Sequence, residues 1–250
     1  MISTEQVVSG VWRVENSGFS SNTYICQIAG TDHCLVVDPG LDQTGVLSAI
    51  EGLQLRPLAV ACTHGHFDHV GSASTLMDTY KIPLYLHTQD VKLSKSANFL
   101  LMACKIDQKI KVPTVSYEVD DGFETSLLGQ TLRFVHVPGH TNGSCFLEFQ
   151  GCLFTGDSLY KRGVGLVDFP GEKPAVLKES LLKIWDRFPD HYHVCPGHGG
   201  TGAWGDIKLN NLRLRAFLGL DSATSEAQVG ATQVKKTGAA AKQAFDEELK

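Results

Sequence analysis

Thr63-His64-Gly65-His66-Phe67-Asp68-His69 directly follows the apolar run Leu58-Ala59-Val60-Ala61-Cys62. The run reads as a buried strand, and the stretch crowds three histidines and an aspartate just past its end. Neutral imidazole and carboxylate are the ligands that zinc, iron and manganese accept. Carried by a rigid strand, several such donors fall in one small volume. A structural explanation of the chain therefore has to bring a metal-sized space to this strand end.

Outward from that strand the same local order repeats. Upstream, residues 7–14 and 23–28 predict a first pair of strands joined by the polar turn Asn16-Ser17-Gly18, and Cys34-Leu35-Val36-Val37 predicts a strand stopped by Asp38-Pro39-Gly40. Asp38 is expected to cap that turn. Val46, Leu47 and Ile50 recur at helical spacing over 42–52. Downstream, residues 71–80 predict a helix and 83–87 a strand. Strand, helix, strand on both sides predicts a layered α/β fold. Residues 88–115 are polar and lysine-rich around an apolar knot, Phe99-Leu100-Leu101-Met102. They predict an excursion between two halves, holding a short helix that either overlooks the site or packs its knot on the core.

The second half is richer in strands, at 131–137, 145–149, 152–155 and within 193–200, the last delivering one more histidine. An amphipathic helix is expected over 174–187, with Val176, Leu177, Leu181, Ile184 and Trp185 on one side, and a closing helix over 206–220. Val194-Cys195-Pro196-Gly197-His198-Gly199 echoes Val60-Ala61-Cys62-Thr63-His64-Gly65. Two similar halves facing each other would place their ligands in the seam. The domain is expected to span 1–220, with 221–250, poor in large apolar side chains, forming a tail or a weakly held helix.

At 250 residues, with 42% hydrophobic and 20% charged residues, the chain has the composition of an ordinary globular protein with one sizeable core. A net charge of -5 offers no broad basic surface for nucleic acid or acidic lipid, so a small-molecule substrate is expected and the number of subunits is left open. The segment Met1–Gln6 has no positive run and no long apolar stretch, and no window reaches the length of a membrane span. Seven cysteines, an odd number scattered through apolar runs, are expected as buried thiols in a reducing compartment. A cytoplasmic protein is the expectation.

The full candidate set is His64, His66, Asp68, His69, His140, Asp157 and His198, the last three each following an apolar strand beside a glycine. His33, His87, His136, His191 and His193 are expected in turns or core hydrogen bonds. The seven resemble the metallo-β-lactamase superfamily, whose pattern is His-x-His-x-Asp-His, then a distant His, a bridging Asp and a last His. The resemblance implies a four-layer αββα sandwich with a two-metal centre at one edge of the sheets. His64, His66, His140 and Asp157 would hold one ion, and Asp68, His69, Asp157 and His198 the other. Two divalent ions about 3.5 to 4 Å apart need an anionic bridge, which Asp157 would supply. A bridging hydroxide, oriented by Asp68, would be the nucleophile. Zinc is the expected metal, and the mixed nitrogen and oxygen ligands also suit iron or manganese.

Within the superfamily the text resembles the glyoxalase II (hydroxyacylglutathione hydrolase) branch and its short bacterial-type relatives. The matching motifs are Thr63 to Gly71, Pro138-Gly139-His140-Thr141, Thr155-Gly156-Asp157-Ser158-Leu159, Asp168-Phe169-Pro170-Gly171 and Pro196-Gly197-His198-Gly199. This implies hydrolysis of an acyl thioester. Two departures bear on the substrate: only 52 residues follow His198, and Gly165-Leu166-Val167-Asp168 stands where relatives have Gly-Arg-x-Asp. Lys161 and Arg162 are the replacement candidates for holding an anionic group, and Tyr160 for flanking the cleft. Three alternatives share parts of the pattern: a lactone hydrolase on the same centre, a mononuclear-iron persulfide dioxygenase, and a catalytically idle metal-binding module. The complete Asp68, His69 and His198 set favours two ions over one.

Overall fold

Alternation along the strands sorts the apolar side chains into three separate cores, and those three cores set four layers. The computed structural model describes residues 4–17, 19–167 and 169–220. Strands β1 (Thr4–Val8), β2 (Val11–Glu15), β3 (Asn22–Gln27), β4 (His33–Val37), β5 (Arg56–Ala61), β6 (Leu84–His87) and β7 (Tyr117–Val119) form a seven-stranded sheet in chain order. The second sheet has six strands in the order β13-β12-β11-β10-β9-β8, made of β8 (Glu124–Leu127), β9 (Gln130–His136), β10 (Cys145–Phe149), β11 (Cys152–Gly156), β12 (His193–Pro196) and β13 (Gly202–Ala203). Pairing is antiparallel from β1 to β4 and parallel from β4 to β7, and in the second sheet only β11 and β12 run parallel.

Along β4, Leu35 and Val37 face the other sheet while Cys34 and Val36 face outward; along β11, Cys152 and Phe154 face inward while Leu153 faces outward. The middle core is therefore sheet on sheet, with Tyr24, Phe134, Phe149 and Phe154 as its largest members. Burying each such ring contributes about 1.5–3 kcal/mol. The first outer core packs α1 (Gln43–Gly52), α3 (Ala73–Tyr80) and α5 (Ala97–Ala103) on the first sheet, through Val46, Ile50, Leu76 and Leu101. The second packs α6 (Pro174–Ile184), α7 (Trp204–Asn210) and α8 (Leu212–Leu218) on the second sheet, through Leu177, Leu181, Trp204 and Leu214. The result is the αββα sandwich expected from the sequence.

Several local expectations are corrected. The strand expected over 7–14 is a hairpin, because Ser9-Gly10 forms a two-residue turn and Val8 pairs with Val11. The helix expected over 71–80 is preceded by a separate turn of helix, α2 (Phe67–Val70), which lies inside the ligand stretch itself. Strands β7 and β8 went unrecognised, being short and half exposed, so that no apolar run marks them. The helix expected over 206–220 breaks into α7 and α8 at Asn211, whose Oδ1 accepts from Leu214 N and Gly163 N. Residues 88–115 form a 3-10 turn (Thr88–Asp90), α4 (Val91–Lys95), α5 and an irregular connection. The apolar knot is divided, with Leu101 buried in the core and Phe99 and Met102 exposed. Gly18, Asp168 and the tail 221–250 lie outside the described residues. Among the described residues no helix is long and apolar enough to cross a membrane.

The sandwich puts every candidate ligand at one edge. β5 ends before His64, β9 before His140, β11 before Asp157 and β12 before His198. Backbone bonds sew the two sheets together at that edge, from Cys145 N to Thr63 O at 2.9 Å and from Asn22 N to Gly197 O at 2.7 Å.

Candidate metal centre

His64, His66 and His140 form one buried group of donors, and Asp68, His69, Asp157 and His198 form a second, with the donor atoms of each group within 4.8 Å of one another. In the first, His66 Nδ1 lies 3.1 Å from His64 Nε2 and 3.0 Å from His140 Nε2. Ligands about 2.0–2.1 Å from a tetrahedral zinc are roughly 3.3 Å apart, so this spacing fits an ion at their centre. In the second, His198 Nε2 lies 3.2 Å from Asp68 Oδ2 and 3.3 Å from Asp157 Oδ2, while His69 Nε2 lies 3.3 Å from Asp68 Oδ2 and 3.4 Å from Asp157 Oδ1. Asp157 Oδ2 is also 3.7 Å from His140 Nε2, so its carboxylate reaches both groups.

The outer ring nitrogens decide where the lone pairs point. His69 Nδ1 donates to Asp38 Oδ2 at 3.1 Å, His140 Nδ1 to Gly165 O at 2.8 Å and His198 Nδ1 to Ser20 O at 2.8 Å. Thr63 Oγ1 donates to Asp38 Oδ2 and so must accept from His64 Nδ1, 3.0 Å away. In the neutral form each of these four rings therefore turns a bare Nε2 into the cluster, the tautomer a metal ligand needs. His69 Nε2 and Asp157 Oδ1 are buried without a hydrogen-bond partner, as atoms aimed at an ion would be. By donor chemistry, spacing and tautomer, the residues fit two divalent ions.

The electrostatics set His64 and His66 apart from the other three imidazoles. Burial, then the neighbouring His140, pushes His66 down to about 3, and burial, then His69, holds His64 well below its ordinary value. Burial would raise Asp68 and Asp157, but the imidazoles beside them, His69 and His198, hold both carboxylates far below the usual range. Burial opposes charge on His198 too, yet Asp157 and then Asp68 hold it up at about 9 in the metal-free protein. Burial likewise opposes charge on His69 and His140, yet Asp68 and then Asp157 hold His69 well up, and Glu172 and then Asp157 raise His140, so in the metal-free protein the buried carboxylates face imidazolium partners. Burial, then Asp157 and Asp68, pushes the Tyr160 phenol well up, so it stays a hydroxyl at neutral pH.

Gly197 lets these groups meet. A Cβ there would fall 2.1 Å from Asp157 Oδ1 and 2.6 Å from His69 Cε1, so no side chain fits between the Asp157 carboxylate and its neighbour. The walls are aromatic: Phe169 stands edge-on to His66 at 5.4 Å, Phe19 to His198 at 5.9 Å and Tyr160 to His198 at 6.0 Å.

Of the substrate candidates, Tyr160 is in that wall, whereas Lys161 and Arg162 are exposed, with the stem of Lys161 near Gly200 and Gly202. Leu166 packs on the second outer core. The histidines expected outside the site are elsewhere: His87 stacks on His136 at 4.2 Å, His33 pairs with Asp32, and His193 meets Thr201. Cys62 and Cys195 are buried in the cores. Asp38 corrects its expectation. Its carboxylate accepts from Thr63 N, Thr63 Oγ1 and His69 Nδ1, holding the ligand loop and not its own turn. Sequence reasoning also passed over Asp90, which accepts from the backbone on both sides of the triad, and Glu172, whose Oε1 lies 3.5 Å from His140 Nδ1. Neither sits in a ligand motif. The only signal was an acidic residue next to an apolar strand or a glycine turn.

Residues 16–198 match the family model described as the metallo-beta-lactamase superfamily. An uncharacterized protein of Mycobacterium tuberculosis is 32% identical over 195 residues, covering 72% of this chain and 86% of its own length. A hydroxyacylglutathione hydrolase of Aeromonas hydrophila is 31% identical over 213 residues, covering 84% of this chain and 71% of its own. Among solved structures, the BLEG-1 B3 metallo-beta-lactamase superposes with a TM-score of 0.74 at 26% identity, over 82% of this chain and 99% of that one. TTHA1623 in a di-iron-bound form superposes with a TM-score of 0.69 at 29% identity, over 80% and 97%.

Proposed function

The chain belongs to the metallo-beta-lactamase superfamily, and from that premise we propose that it is a two-metal hydrolase that cleaves an acyl thioester. The observation that carries the reading is the reach of Asp157, whose Oδ2 stands 3.3 Å from His198 Nε2 and 3.7 Å from His140 Nε2, one donor from each group. A shared carboxylate is what two neighbouring cations need. His64, His66 and His140 are assigned to one ion, Asp68, His69 and His198 to the other, and Asp157 to both. When bound, the pair lowers the pKa of a water to about 7 and polarises the scissile carbonyl. Zinc is the default, and the di-iron form of TTHA1623 makes iron an equal candidate to test.

The chain's own residues supply the rest. Asp68, kept ionised by His69 and His198, would accept a hydrogen bond from the attacking hydroxide and orient it. Tyr160, kept protonated, is a donor facing the Asp157 side of the cleft. Phe19 and Phe169 offer an apolar wall to the acyl group. The thioester itself rests on the similarity to the Aeromonas hydrolase and on the good leaving ability of a thiolate, which balances the weak nucleophile.

Leu166, packed on the outer core, presents no cation to an anionic leaving group. Acyl thioesters of uncharged thiols are therefore expected to turn over alongside S-D-lactoylglutathione. The test is hydrolysis of both by protein loaded with zinc or with iron, beside a lactone, a β-lactam and a glutathione persulfide with oxygen uptake followed. Thioester cleavage with kcat/KM well above that for the lactone supports the reading. Oxygen uptake with one iron per chain overturns it, as does inactivity of the loaded protein toward every thioester.

A further inference from the structure

Asp90 ends the 3-10 turn after β6, far in sequence from any ligand, and is 1% exposed. Its Oδ2 accepts from Gly65 N at 2.9 Å and from Thr141 Oγ1 at 2.7 Å, and its Oδ1 accepts from Gly143 N at 2.8 Å. Gly65 lies between His64 and His66, and Thr141 directly follows His140. One carboxylate thus holds the loop that brings two members of the triad and the loop that brings the third. We propose that Asp90 is the positioning residue of the His64, His66 and His140 group, setting the distance between its two loops without touching metal or substrate. The proposal rests on the two-ion reading above.

Packing leaves the carboxylate one place to be. A Cβ on Gly65 would come within 2.6 Å of Asp90 O, and one on Gly143 within 2.7 Å of Asp90 Cγ and 2.8 Å of Asp90 N. Both loops therefore close on Asp90 at backbone contact. Thr141 Oγ1 also meets Ser144 Oγ at 2.6 Å, which fixes the hydroxyl that donates to Asp90. Hydrogen bonds to a buried carboxylate are short and strong, and removing the acceptor leaves its donors unsatisfied. The second donor group has an anchor of its own in Asp38, which holds His69 and Thr63. Asp38 also reaches His64 through Thr63, whereas all three bonds that Asp90 accepts come from the two triad loops, so loss of Asp90 is expected to act on the triad alone.

Cobalt(II) affinity measured by chelator competition tests this in two backgrounds, because His198→Ala leaves only the triad group intact and His66→Ala leaves only the other. Asp90→Asn keeps the shape but turns an amide toward one of the three donors. It is expected to weaken cobalt binding about 10–100-fold in the His198→Ala background and to leave the His66→Ala background at its parent value. Equal losses in both backgrounds, or none in either, overturn the assignment. A parent chain that takes up a single cobalt overturns the two-ion reading and the assignment with it. Should Asp90→Asn fail to fold, Thr141→Val removes one of the three bonds and is expected to show a smaller loss confined to the triad, which Thr141→Ser restores; no such loss overturns the proposal.

Discussion

His69 Nδ1 lies 3.1 Å from Asp38 Oδ2, the oxygen that also accepts from Thr63 Oγ1 at 2.7 Å. Both residues are buried, and that oxygen fixes His69 directly and His64 through Thr63. Asp38→Asn presents an amide where His69 needs an acceptor and favours the wrong tautomer. Metal affinity should fall about 10–100-fold, read by chelator competition with zinc. Wild-type affinity in that variant would remove Asp38 from the account.

Gly197→Ala places a methyl between Asp157 and His69, at distances no real Cβ tolerates. The bridge and the second donor group must separate. Bound metal per chain should drop and hydrolysis vanish, while far-UV circular dichroism keeps its wild-type shape. A fully loaded, active Gly197→Ala protein would show that Asp157 does not stand where it must to serve both ions.

In the metal-free protein the His198 imidazolium is held up at about 9 despite burial, by Asp157 and then Asp68. The unfolded value is about 6.5, so this pairing contributes stability that is fully present below about pH 6.5 and is lost as pH rises through about 9. Metal needs the neutral ring and displaces the proton. From this pairing, the melting temperature of the metal-free protein should decline between those limits more than that of the loaded protein. Loading near neutral pH should acidify a weakly buffered solution. Equal pH dependence with and without metal, and no acid released, would contradict the assignment of His198.

Phe154 fills the middle core, edge-on to Tyr24 with ring centroids 5.3 Å apart. Phe154→Ala should cost about 3–5 kcal/mol of stability, measured by urea unfolding. A loss under about 1 kcal/mol would mean that the sheets do not depend on this contact as described.

The site was more legible than the fold around it. His64, His66, Asp68 and His69 are contiguous, and His140, Asp157 and His198 each end an apolar run, so their chemistry and placement lie in the text itself. β4, β5, β10, β11 and β12 were legible because both faces are buried, which writes an unbroken apolar run. β7 and β8 lack that run, and their pairing is set by β6 and β9 rather than by their own composition. Asp38, Asp90 and Glu172 were illegible as partners because each acts on residues 25 or more positions away. An acidic residue at a strand end reads as a cap until the fold brings a histidine to it. Lys161 and Arg162 show the converse, since nearness in sequence to Asp157 put neither in the site.

On the proposed reading the two donor groups hold two ions that act together. Titrating metal-free protein with zinc or iron while following thioester hydrolysis tests it most directly. Activity should climb to a plateau reached at two equivalents of metal per chain. A plateau reached at one equivalent, with the second adding nothing, would contradict that reading.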